Sequence, residues 1–266
     1  MSFEMLAILA LVGLGAGFFD AIAGGGGLLT VPAFALAGLD PVAVVATNKL
    51  SGTFGTGSAT LAFARAGKID LVGMWPSALA AAFGSVLGAL ALPFAPREAA
   101  YGALPFILVA VALYFAFSPQ MGESDRKSRL TARAYAWTLA PLIGFYDGVF
   151  GPGAGSFYTI GFVTLVGFGV TRAVANARLA NFASNLGSLA IYAVGGHIVL
   201  AAGLSMGVGQ FLGSRLGAKA VLGAGVRLVR PAIVIVSCLM ALRLAASANY
   251  PLHGRLINFA KQLIGG

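Results

Sequence analysis

The chain has 266 residues, of which 59% are hydrophobic and 9% charged, with a mean hydropathy of +0.91; soluble domains carry about 25% charged residues. This excludes a water-soluble globule, and with it a soluble enzyme domain, a zinc module or a nucleic-acid-binding domain, despite a net charge of +9. The positive charge is read instead as topology, because Lys and Arg collect in short cytoplasmic loops and beside anionic lipid.

At roughly 20 apolar residues per bilayer crossing, about ten crossings would use ~200 residues and leave little outside the membrane. The first apolar segment, residues 3 to 19, has no positive stretch before it and is expected to be a retained helix, not a cleaved leader. Further segments follow at 28 to 38, 41 to 64, 71 to 94 and 99 to 117. A polar stretch, 118 to 133, carries Arg126, Lys127, Arg129 and Arg133 and is expected to be a cytoplasmic linker. Five segments lie beyond it, at 134 to 150, 156 to 169, 171 to 195, 198 to 218 and 226 to 247, before an amphipathic tail at 249 to 266. The predicted fold is therefore all-α, a polytopic transmembrane bundle. It divides into a first repeat (1–117), the linker, a second repeat (134–248) and the tail. Trp75, Trp137, Tyr101 and Tyr250 lie near segment ends, where aromatic residues favour the lipid interface, and His197 is expected there too.

The two halves resemble each other. GFFDAIAGGGG (Gly17 to Gly27) matches GFYDGVFGPGAG (Gly144 to Gly155), which sets Asp20 on Asp147. Ala46 to Ile69 aligns with Ala175 to Ile198, which sets Lys49 on Arg178, Phe63 on Tyr192 and Gly67 on Gly196. Gly84 and Gly88 are matched to Gly209 and Gly213, and Pro105 to Pro231. Internal duplication is a common way to build a transporter. Whether the Gly-rich pairs are full crossings or re-entrant hairpins, each half has an odd number of crossings, so the repeats are expected to be inverted. With the N-terminus outside, Arg65, Lys68, Arg126 to Arg133, Arg215, Lys219, Arg227 and Arg230 fall inside; Arg97, Arg243, Arg255 and Lys261 do not.

Gly24 to Gly27, and Gly151, Pro152, Gly153 and Gly155, each follow an acidic residue and join two short apolar segments. Each Gly costs a helix about 1 kcal/mol relative to Ala and Pro about 3 kcal/mol, so the helices are predicted to break there. Unwound backbone at membrane depth must line protein or a wet cavity. A helix restarting after the break points N–H groups, here near Gly25, Gly26 and Gly153, towards a prospective anion. The alternative is a pair of tight turns at the bilayer surface.

Lys49 and Arg178 each lie about eight residues into an apolar run, where a cation costs at least ~2.5 kcal/mol unless it faces a polar partner. Thr47, Asn48, Ser51 and Thr53 accompany Lys49, and Asn176, Asn181, Ser184 and Asn185 accompany Arg178. Arg178, Asn181 and Asn185 share one helical face, and ammonium and guanidinium groups suit sulfonate, sulfite or carboxylate oxygens. Substrate contact, ion pairing with Asp20 and Asp147, and snorkelling at a helix end are the three readings of these cations. The two aspartates could instead carry protons for coupling. The only cysteine, Cys238, has no disulfide partner, and two histidines with one cysteine build no metal cage, so neither metal nor cofactor is expected. An anion channel and a membrane-embedded enzyme are the rival classes; the second lacks a nucleophile set with its base.

GFFDAIAGGGGLLTVPAFALAGLDP followed by ATNKLSGTFGTGSATLAFARAGKID, with GFYDGVFGPGAGSF and ANARLANFASN in the second half, resembles the TauE/SafE family of membrane transporters over nearly the whole chain. The resemblance implies a multi-pass carrier of the bacterial inner membrane that exports small sulfur-containing anions such as sulfite, sulfoacetate or other organosulfonates. Its expected partners are a small anion and membrane lipid, with a homodimer left open and no nucleic acid. The expected binding residues are Lys49, Arg178, Asn48, Thr47, Asn176, Asn181, Asn185, Gly25, Gly26 and Gly153, with Asp20 and Asp147 for coupling or ion pairing.

Overall fold

The structure is a computed structural model that describes residues 1–92, 122–225, 227–229, 231–235 and 238–239. The expected crossing at 99–117, the tail at 249–266, and Arg97, Tyr101, Pro105, Arg230, Arg243, Tyr250, Arg255 and Lys261 lie outside these residues. All regular structure among the described residues is helical. We number the helices α1 (Phe3–Ala23), α2 (Gly27–Leu36), α3 (Pro41–Arg65), α4 (Leu71–Ala91), α5 (Ala132–Val149), α6 (Ala154–Gly161), α7 (Val170–Val194) and α8 (Leu200–Ala224). A π-helical turn, Phe162–Val166, extends α6.

Side chains at the helix starts explain several boundaries, since the first N–H groups of a helix need acceptors. Ser2 accepts from Met5 N–H on α1, Asp40 from Val42 and Ala43 on α3, Asp70 from Gly73 on α4, and Thr131 from Ala134 on α5. Helix α7 begins after Gly169, which has no side chain to offer. There the linker supplies the acceptors: Asp125 Oδ1 takes the Gly169 N–H at 2.8 Å and Glu123 Oε2 the Thr171 N–H at 3.4 Å. Arg172 pairs with Asp125 and lies 4.1 Å above the Phe168 ring.

Both predicted breaks occur. Helix α1 ends at Gly24, whose φ of +81° is left-handed, and α5 gives way to Gly151 and Gly153 at +89° and +86°; only glycine adopts such backbone without strain. The chain turns back after each break. The start of α1 (Met5, Leu9) packs beside the end of α2 (Phe34, Ala37) and the start of α3 (Val44). Likewise the start of α5 (Ala132, Tyr135) packs beside Phe162 and Val166 and the start of α7 (Ala173). Each pair is thus a hairpin that enters and leaves at one end of the bundle, and α2, at 10 residues, is about 15 Å long, half a bilayer core.

Helix packing is exchanged between the halves. Helix α1 packs chiefly against α8, α4 against α5, α3 against α8, and α4 against α7. Backbones meet closely along two glycine seams. Gly84 abuts the Pro141 carbonyl and Gly88 the Phe145 carbonyl; Gly213 abuts the Leu14 carbonyl and Gly217 the Phe18 carbonyl. Leu14 and Phe18 correspond to Pro141 and Phe145 in the register that sets Asp20 on Asp147. Gly84 and Gly88 therefore answer to Gly213 and Gly217, one helical turn further on than the sequence match to Gly209 and Gly213. Helices α3 and α7 run antiparallel: Gly52 faces Asn185, and Gly57 faces Phe182.

The polarity of the bundle is inside out. Phe3, Leu36, Val72 and Val194 are more than four-fifths exposed, and Trp75 and Trp137 face outward, while Lys49 and Arg178 are fully buried. His197 is exposed at the turn before α8. Helices α1 and α4 are long and apolar enough to cross a membrane by length and composition; α3 and α7 carry most of the buried polar groups among the described residues.

Candidate functional site

The hairpin tips touch. Gly24 lies against Gly155 and Ser156, Gly27 against Pro152, and the Ser156 hydroxyl donates to the Ala23 carbonyl. Around this contact the four buried charges pair crosswise between the halves. Lys49 Nζ of α3 meets Asp147 Oδ1 of α5 at 2.7 Å, and Arg178 Nη1 of α7 meets Asp20 Oδ2 of α1 at 3.3 Å. The opposite charges offset part of the desolvation cost of burying them.

The pairs differ in detail. The Arg178 guanidinium donates also to the Asp20 carbonyl at 2.7 Å and the Gly155 carbonyl at 3.0 Å, lying between the tips. A Cβ at Gly24 or Gly155 would come within 2.8 Å of its terminal nitrogens. Asp20 Oδ1 accepts the Gly26 N–H at 2.9 Å. Among the described residues Lys49 donates through Nζ to Asp147 alone, and Asp147 Oδ2 accepts from the Ser184 hydroxyl at 2.5 Å.

Beside the pairs lies a small, open-mouthed cavity of about 30 Å³. Of the predicted residues, Asn48, Asn181, Asn185, Gly26, Gly153, Asp20 and Asp147 line it. Lys49 and Arg178 sit one layer behind, each masked by its carboxylate. Thr47 instead accepts the Val199 N–H at the start of α8, and Asn176 donates to the Arg172 carbonyl within α7. Gly25 is not part of the lining.

The cavity also has walls that the sequence reading left out. Gly52 and Thr56 extend the Asn48 face of α3 by one and two turns, and answer to Asn181 and Asn185 in the repeat register. Gln210 of α8 reaches in and donates to Ser51 at 3.2 Å. Asn48 accepts from Thr30 at 2.5 Å. The amides of Asn181 and Asn185, each 6% exposed, form no hydrogen bond with the described residues and open into the cavity.

A polar cavity enclosed by helices whose outer faces are apolar fits a helical membrane transporter. The chain belongs to the sulfite exporter TauE/SafE family, whose model, described as "Sulfite exporter TauE/SafE", matches residues 9–244. It is 48% identical over 253 residues to the probable membrane transporter protein ORF9 of a Sinorhizobium species, covering 95% of this chain and 97% of that one. It is 43% identical over 253 residues to the probable membrane transporter protein YfcA of Escherichia coli K12, covering 95% and 93%. A probable membrane transporter protein of Haemophilus influenzae is 42% identical over 241 residues, covering 91% and 94%. No solved structure matches the chain.

Proposed function

We propose that this protein carries small sulfur-containing oxyanions, of the sulfite, sulfoacetate and organosulfonate type, out of the cell across the bacterial inner membrane. It does so as a multi-pass carrier by alternating access between two inverted repeats. The antiparallel course of α3 and α7, which are equivalent in the duplicated sequence, supports the inversion. The observation that carries the substrate reading is the pair of unpartnered amides, Asn181 and Asn185, opening into a cavity with two buried cations directly behind it. Buried N–H donors without partners favour a ligand that supplies oxygen acceptors.

The anion enters by taking the place of a carboxylate on a cation. Lys49 provides the charge, Asn48, Asn181 and Asn185 the orienting hydrogen bonds, and the backbone at Gly26 and Gly153 the close approach, with Gly25 behind Gly26 in the same tip. Thr47, Asn176 and Arg178 hold the helices and tips that frame the site.

Flux of labelled sulfite, sulfoacetate and taurine into liposomes carrying the purified protein tests this. Saturable uptake of at least one sulfur oxyanion is expected. Asn181→Ala or Asn185→Ala should raise the half-saturating concentration about tenfold, the loss of a hydrogen bond to a charged group. Lys49→Ala should abolish uptake. Non-saturating currents far above carrier turnover would mean a channel, and no flux of any of the three would remove the substrate class.

A further inference from the structure

Four carboxamides line the cavity: Asn48, Asn181, Asn185 and Gln210. Each offers N–H donors at one corner and an oxygen acceptor at the other, so what it asks of a ligand depends on the corner turned inward. Asn48 is held by Thr30, while Asn181 and Asn185 can present either corner. Gln210 cannot. The Ser51 hydroxyl donates its one proton to the Asn48 carbonyl at 3.2 Å, so it can only accept from Gln210, which donates to it through Nε2 at 3.2 Å. That bond commits the amide nitrogen to α3. The other corner, Oε1, receives no donor among the described residues and is not sealed off from the cavity that Gln210 lines.

The place of this oxygen is built into the packing. Helix α8 meets α1 backbone to backbone at the Gln210 carbonyl, against Gly17, which fixes the base of the side chain. Gly55 of α3 leaves room for its head, since a Cβ there would stand 2.7 Å from Oε1 and 3.2 Å from the Gln210 Cβ. At the repeat-related positions Ala180 replaces Ser51, Ser184 replaces Gly55 and Ala81 replaces Gln210, so the other side holds no matching amide.

An oxygen lone pair turned into an anion site restricts the anion. It repels a bare oxyanion oxygen and accepts from a hydroxyl. Charge restricts it in the same direction. The charged groups around the cavity are Asp20 of α1 and Asp147 of α5, backed by Arg178 of α7 and Lys49 of α3. Arg178 is tied to two backbone carbonyls of the tips as well as to Asp20, whereas Lys49 has Asp147 alone among the described residues. Displacing one carboxylate therefore frees one cation for one negative charge.

We propose that the site takes sulfite in its singly protonated form, hydrogensulfite, and that Gln210 Oε1 is the acceptor that recognises the hydroxyl of this anion, with Ser51 as the positioning residue that turns the amide. The inference rests on the sulfur-oxyanion reading and narrows it to one protonation state. The proton stays on the ligand, and no bond is made or broken.

Methanesulfinate is the matched probe, because it keeps the two oxygens and the single charge of hydrogensulfite and puts a methyl where the hydroxyl was. Binding of each is read from the rise in unfolding temperature of the full-length protein in lipid nanodiscs, at a mildly acidic pH where sulfite carries one proton. The wild type should bind hydrogensulfite at least about tenfold more tightly than methanesulfinate. Gln210→Met should bring the two within about twofold by weakening hydrogensulfite alone. Ser51→Ala releases the amide to turn its N–H inward, and should shrink the preference without weakening methanesulfinate. Should Gln210→Met not fold, Ser51→Ala decides the matter. Equal wild-type affinities, an undiminished preference in the variants, or equal weakening of both ligands in Gln210→Met overturns the proposal. If methanesulfinate binds and the preference is absent, this inference fails while the substrate class stands; if neither ligand stabilises the wild type, the substrate class itself fails.

Discussion

Lys49 and Arg178 occupy equivalent positions, and their chemical difference decides what each can do. A guanidinium presents a planar fork, which suits Arg178 to two backbone carbonyls and a carboxylate at once. An ammonium is a point charge, and Lys49 has a single acidic partner, Asp147. Removing one member of a buried pair leaves the other uncompensated. We therefore expect Lys49→Met to destabilise the protein by about 3–5 kcal/mol, and Lys49→Met combined with Asp147→Asn to recover most of that loss. Thermal unfolding of the three proteins in detergent measures it. The cations were legible in the sequence because charge within an apolar run is costly and therefore rare. The crossing of the pairs was not, because spacing along one helix says nothing about which half supplies the opposing carboxylate. Gln210 went unseen because its repeat equivalent is Ala81, so symmetry gives no hint of it.

Among the elements, the glycine seams make the sharpest comparison. Gly84 and Gly213 each meet a backbone carbonyl of the opposing helix, so Gly84→Val and Gly213→Val should both abolish folded protein, as judged by size-exclusion chromatography of fluorescent fusions. Gly15, on the same helix as the seam residue Gly17, has open space around it. Gly15→Ala should instead stabilise by about 0.5–1 kcal/mol. The sequence revealed that such seams exist but misplaced one by a turn. Gly209, Gly213 and Gly217 recur every four residues, so either adjacent pair of them matches Gly84 and Gly88 equally well. The hairpin breaks were legible because Gly and Pro clusters oppose helix wherever they fall. The borrowed capping of α7 was hidden, since Glu123 and Asp125 lie more than forty residues away. Asp125→Ala should cost about 1 kcal/mol in the same unfolding assay, more than the equivalent change at the exposed Arg126 neighbour Lys127.

For the whole molecule, the distribution of charge is one-sided. The end of α3 packs with the end of α8 and the start of α7, and the linker crosses the same end through Arg126 N–H to the Gly167 carbonyl and Val170 N–H to the Gly122 carbonyl. Arg65, Lys68, Arg126, Lys127, Arg129, Arg133, Arg172, Arg215, Lys219 and Arg227 all belong to segments running to that end. Glu4 and Asp40 belong to the other, which carries no Lys or Arg among the described residues. By the positive-inside bias the basic end is expected in the cytoplasm. In a Cys238→Ser background, Lys68→Cys and Lys127→Cys should then react with an impermeant maleimide only after the cells are opened. Asp40→Cys should react in intact cells. The opposite pattern would reverse the proposed orientation.

The exchanged packing of the halves also fixes when the protein can become complete. Helix α1 leaves the ribosome first, yet the surface it fits belongs to α8, more than 170 residues later. Throughout synthesis its groove must wait in lipid, without its mate, and α4 waits likewise until α5 arrives. A nascent chain halted before Gly213 would hold most of its helices and still lack closure. Quality-control proteases would therefore meet the growing protein as an unfinished object until nearly its last helix is inserted.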